Sequence, residues 1–192
     1  MKILKPLLVV AMTLAAAASA GAQEMKIGIV DMTRVFAEYY KTKDAEKDVN
    51  EDKAVAKKEL DERNARYKQL IEKYQELAKA RQDPLISEEL RTQKGKELEE
   101  VAAEARSLER EKKEFAERRQ RQLLEEVERK RKAILDHIRE VVEEMSKEAN
   151  YDLVFDKSGL GTRGIPFLLH SKDAVDFSDQ IIEKLNSEAP GS

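Results

Sequence analysis

The residues that could do chemistry are few and far apart. Gly159-Leu160-Gly161-Thr162-Arg163-Gly164 spells GxGxxG behind a strand-like segment, a pattern in which bare backbone can cradle a pyrophosphate. That chemistry also needs a helix immediately afterwards, inside a βαβ unit, and an acid about 20 residues on. Here a second strand-like run follows, so the stretch reads as a hairpin turn. His137 lies on a helical stretch with no second histidine at helical spacing, and His170 ends the strand-like run. Both read as surface or interface residues rather than metal ligands. Ser158 or Ser171 with His170 and an aspartate would form a triad by composition only, because no nucleophile-elbow pattern is present. There is no cysteine, hence no thiol nucleophile, thiolate metal site or disulfide. No catalytic, cofactor-binding or metal-binding residue is assigned, and the chain does not read as an enzyme.

Two basic runs remain, Arg118-Arg119-Gln120-Arg121 and Arg129-Lys130-Arg131-Lys132. Nucleic-acid binding would interleave such runs with aromatics on a basic chain. This chain carries a net charge of -3 and has no aromatic residue within either run. The runs therefore read as a solvated helix face, and no nucleic-acid partner is expected.

The elements around these residues are unusual. Charged residues make up 39% of the 192, hydrophobic ones 41%, and tryptophan is absent. That is too charged for one large compact core and too periodic for a disordered chain. Lys2 and Lys5 precede the apolar run Leu7–Ala18, which ends in small residues. Residues 1–22 read as a secretory signal peptide, cleaved after 20 or 22, because the run is shorter than the roughly 20 residues that span a bilayer.

Residues 33–150 form one almost continuous helical pattern, with the single expected break at 83–87. Pro84 forces Asp83 out of the helical region, and Ser87 followed by Glu88 and Glu89 starts a new helix. A break this short predicts two antiparallel arms. On the outgoing arm Ala56, Leu60, Tyr67, Leu70, Tyr74 and Leu77 form a narrow coiled-coil seam, with Arg63 in the missing place. On the return arm Phe115, Arg119, Leu123, Val127 and Arg131 step in fours, like a stutter that locally unwinds a coiled coil. Beyond it Ile134, Leu135, Ile138, Val141, Val142, Met145 and Ala149 widen into a stripe suited to burial in a body. With the turn centred on Pro84, position i should face roughly 168 minus i. Residues 38–64 (nine acids, seven bases) would then lie opposite residues 106–132 (eleven bases, seven acids).

Period-two segments flank the arm. Residues 25–31 and 151–156 read as strands, Ile165–His170 as a further strand, and Ser178–Asn186 as a last helix. The β-rich body, residues 23–32 and 151–192, would be too small to bury its own strand edges, which favours oligomerisation. The fold class is α+β, mostly α: a long antiparallel helical hairpin on a small β-body.

Lys26-Ile27-Gly28-Ile29-Val30-Asp31-Met32, the following Arg34-Val35-Phe36, the helical hairpin, and Tyr151-Asp152-Leu153-Val154-Phe155-Asp156-Lys157 together resemble the Skp/OmpH family of periplasmic chaperones. The resemblance covers essentially the whole mature chain. It implies a homotrimer whose terminal strands build a small barrel and whose three hairpins project as tentacles. It also implies an ATP-independent holdase, without cofactors, for unfolded outer-membrane β-barrel proteins in the periplasm. Ile27, Ile29, Val30, Leu153, Val154 and Phe155 would form the oligomerisation body, and Leu85, Ile86, Tyr67 and Tyr74 the client contacts. Anionic lipid or lipopolysaccharide is a further implied partner, but residues 70–100 carry six bases against eight acids, where the family's tentacles are basic. A structural coiled-coil spacer or adaptor of the cell envelope is the alternative.

Overall fold

The structure is a computed structural model that describes residues 25–190; the expected signal peptide lies outside the described residues. Strand β1 (Ile27–Val30) is followed by helix α1 (Met32–Glu38), the long helices α2 (Tyr40–Arg81) and α3 (Glu88–Glu148), strands β2 (Leu153–Asp156) and β3 (Val175–Asp176), and helix α4 (Ser178–Asn186). The chain is α+β and mostly α. Helices α2 and α3 run antiparallel as a slender arm; at 1.5 Å per residue the 61 residues of α3 span about 92 Å.

The arm turns where proline dictates. Asp83 caps the loop by accepting the Leu85 amide at 2.8 Å, and the Ser87 hydroxyl accepts the Leu90 amide at 3.2 Å to start α3. A second interruption carries no proline or glycine signal. Tyr39 adopts an extended conformation (ψ 130°) and separates α1 from α2. Its cause lies far along the chain. The Asn186 side chain at the end of α4 accepts the Tyr40 amide at 2.8 Å and donates to the Glu38 carbonyl at 3.1 Å. One amide side chain thus satisfies two backbone groups that a continuous helix would have paired internally.

The cross-arm register also differs from equal pairing about Pro84. Asp48 meets Lys130 at 2.6 Å, not a residue near position 120, and Arg63 meets Glu111 at 3.3 Å. Leu77 is the last buried residue of α2, whereas Leu98 is the first of α3. The first turns of α3 therefore run past the end of α2, where Arg91 donates to the Asp83 carbonyl, and shift the register toward the base.

The body is a three-stranded sheet of order β2-β1-β3, with β1 central and both pairings parallel. The expected strand over Ile165–His170 is absent. Pro166 has no amide to donate, and the segment makes a single isolated bridge with Leu160, outside the three-stranded sheet. Its place beside β1 is taken by Val175–Asp176. The main core joins one sheet face to helices: Val30, Val35 and Tyr39 pack with Ile134, Ile138 and Val141 of α3 and with Phe177, Ile181 and Leu185. The widened stripe of the return arm thus runs into the body. A second core cluster, Leu70, Leu77, Leu98, Val101, Ala105 and Leu108, closes the distal half of the arm.

Candidate functional site

Helix starts cluster at the carboxyl ends of the parallel strands, and each is held by an aspartate. Asp31 accepts the Arg34 amide at 2.9 Å, Asp156 accepts the Met32 amide at 3.2 Å, and Asp176 accepts the Ser178 amide at 3.0 Å. Lys157 lies 2.7 Å from Asp176 and 3.7 Å from Asp31. Burial pushes the Asp176 carboxyl up, but the hydrogen bonds from Lys157 and Ser178 outweigh it and hold the group at about 2. The trio is committed to capping, and among the described residues no group of His, Asp and Glu is arranged to hold a metal ion.

The remaining chemistry-bearing residues are also accounted for locally. The Gly159–Gly164 stretch is a compact turn: the Gly161 amide donates to the Ile165 carbonyl at 2.8 Å, and Gly164 takes a positive φ of 73°. No helix follows it. The Ser158 hydroxyl donates to Asp156 at 2.6 Å, the Ser171 hydroxyl accepts the Ala174 amide at 3.2 Å, and neither is joined to His170. His137 stacks on Tyr39 with ring centroids 5.9 Å apart, and its Nε2 lies 3.3 Å from Glu188.

What the molecule offers instead is apolar surface. The six body residues divide between two faces. Val30 is buried and Val154 packs against the core with it. Ile27 pairs with Leu153 and Ile29 with Phe155, so these four share the opposite face, where Leu153 and Phe155 are exposed. Phe167 and Leu169, 76% and 79% exposed, extend the apolar character of this end of the molecule. They fall in the expected strand Ile165–His170 and are not among the residues assigned to the body. Their density between Ile165 and Leu169 was the available signal.

Residues 26–185 match the family described as outer membrane protein (OmpH-like). The chain belongs to the OmpH-like family. No curated protein sequence matches it. The family is one of periplasmic chaperones associated with outer-membrane proteins and is not known for enzymatic activity.

The four arm residues fall into two separate places. Leu85 stands at the tip, 91% exposed, with the half-buried Ile86 beside it. Tyr67 and Tyr74 lie lower and line a shallow depression of about 220 Å³ with Ile71, Ala102 and Ala105. Tyr67 is engaged in the seam, with the Lys112 ammonium 4.5 Å from its ring centroid, while Tyr74 is exposed. No helix among the described residues is long and apolar enough to cross a membrane.

Proposed function

We propose that this OmpH-like chain is an ATP-independent holdase that binds unfolded outer-membrane β-barrel proteins in the periplasm and keeps them soluble for insertion. Export depends on residues 1–22, cleaved after 20 or 22. The working form is a homotrimer whose body joins the sheets of three copies. The observation that carries the reading is the uncovered apolar sheet face, Ile27, Ile29, Leu153 and Phe155, set at the base of a charged arm about 90 Å long. A small sheet with one bare face needs a partner, and a soluble arm with scattered apolar groups suits many weak contacts to unstructured chains. Leu85, Ile86, Tyr67 and Tyr74 serve as client contacts along it. Anionic lipid or lipopolysaccharide is a secondary partner in this reading, reached through the basic stretches rather than the acidic tip.

Light scattering at micromolar concentration should give three times the protomer mass, and Leu153→Glu/Phe155→Glu should give one. An equimolar amount of trimer should keep an unfolded β-barrel protein in solution without nucleotide. If aggregation proceeds unchanged while the protein binds a folded envelope component, the spacer or adaptor reading replaces this one.

A further inference from the structure

The seam of the arm is closed at both ends and open in the middle. On α3 no residue between Phe115 and Ile134 is buried, and on α2 none between Val49 and Leu70. The interval on α3 is about 28 Å long. Two cavities fill it, of about 410 Å³ toward the base and about 540 Å³ toward the tip. They share Lys53 and Val127 and so form one continuous groove between the helices. Its walls are apolar: Leu60, Leu123 and Val127 are half-buried and Leu124 is 60% exposed.

The rim is strongly one-signed. Lys53, Lys57, Arg119, Lys130 and Arg131 line the groove against a single acid, Glu46. Lys130 is tied to Asp48 and Glu126. Among the described residues, Lys53, Lys57 and Arg131 have no carboxylate within ion-pair distance. At the base end Thr42 borders the same groove, with its hydroxyl buried beneath the wall. Cations stand at both ends of the groove, Arg131 in the base cavity and Lys57 and Arg119 in the tip cavity, which suits a segment charged at both flanks better than a single-headed lipid.

The geometry points to this open seam as a client-binding groove that takes an extended polypeptide segment, apolar in the middle and acidic at its flanks. The assignment rests on the holdase reading and specifies where on the arm, and for which sequences, holding occurs. The apolar residues of the segment fill the walls between Leu60 and Leu123, and its acidic flanks meet the unpaired lysines and Arg131.

The test uses the full-length oligomer. A photo-crosslinking phenylalanine analogue at Leu124 should capture an unfolded β-barrel protein at least tenfold more than the same group at Val55, an exposed position outside the groove. A fluorescent twelve-residue peptide with a Leu/Val/Phe centre and Asp/Glu ends should bind about tenfold more tightly than the same centre with lysine ends. Lys53→Glu/Lys57→Glu/Arg131→Glu should reverse that preference, and the milder triple glutamine variant should abolish it, both with unchanged helical circular dichroism. Equal crosslinking at Leu124 and Val55, or equal affinity for the two peptides, overturns the assignment. Saturable binding of dodecyl phosphate with no binding of either peptide also overturns it, in favour of a lipid-like anion. If the unmodified protein fails to hold a β-barrel protein in solution, the holdase reading falls. If it holds the client and the rim variants hold it equally well, the groove alone falls.

Discussion

Gly28 sits at the centre of the sheet under a stacked aromatic pair, and adding one methyl group there should destabilise the body. A Cβ on Gly28 would stand 2.9 Å from Phe177 Cε1 and 3.2 Å from Tyr151 Cδ2. The two rings stack with centroids 5.1 Å apart and planes at 29°. Phe177 cannot easily retreat: it is 4% exposed, and its amide donates to the Ile29 carbonyl at 3.1 Å. Alanine in a strand is intrinsically better than glycine by roughly 0.5–1 kcal/mol. Overpacking a fitted core costs about 1–3 kcal/mol. Gly28→Ala should therefore lose about 1 kcal/mol net, or roughly 2–4 °C in Tm for a chain of this size.

The assay is thermal unfolding at fixed protomer concentration, since association couples to stability. The decisive measurement is a double-mutant cycle with Phe177→Leu, which removes the ring edge that the methyl meets. In that background Gly28→Ala should be neutral or stabilising. An increase in Tm from Gly28→Ala alone, or the same loss in both backgrounds, would refute the steric argument.

Ile138 is fully buried where α3 enters the body, so Ile138→Ala should cost about 2–5 kcal/mol and be visible in the denaturant midpoint. Asp176 has a folded pKa of about 2, below its ordinary 3.8, so its contribution is complete above about pH 4 and is lost as pH falls toward 2. With the side chain 39% exposed, solvent screening leaves it worth about 1 kcal/mol, and Asp176→Asn should flatten that part of the acid limb. Amide hydrogen exchange should be faster around Leu123 than around Ile138, and uniform protection along the arm would count against an open middle seam.

The arm was readable from local signals because its determinants are local. Pro84 and Ser87 fix the turn within a few residues, and the stripe from Ile134 to Val141 announces burial by its width. The elements that were misread depend on partners far away in sequence. Nothing near Tyr39 reveals a break, because the side chain that caps it is Asn186, 146 residues beyond Tyr40. The last strand is only Val175–Asp176, too short for any alternation, and exists because β1 offers it a free edge. Ile165–His170 alternates well enough to read as a strand, but Pro166 and the tight glycine turn hold it to one bridge. The cross-arm register failed for a third reason: a sequence marks where a loop lies, not how far one helix overhangs it. Alternation along β1 puts Ile27 and Ile29 on one side and Val30 on the other, whereas the six body residues were expected to act together.

The seam explains why one arm can be both stiff and receptive. Distally, Leu70, Leu77, Leu98, Val101, Ala105 and Leu108 interlock, and burying each large aliphatic side chain is worth about 1.5–3 kcal/mol. At the base, Ile134, Ile138 and Val141 do the same against the body. Between them the side chains that should fill the seam are replaced by cations. Arg63 stands where the repeat wants an aliphatic group and lies over the Phe115 ring at 4.1 Å, and Arg119 and Arg131 follow at the four-residue steps. The ion pair that crosses the open stretch, Asp48–Lys130, is half solvent-facing and worth under about 1 kcal/mol. Separating the helices here therefore costs far less than separating them at either end, and it exposes apolar wall and positive rim together. The same substitutions that weaken the coiled coil thus create the surface on which a client can be held.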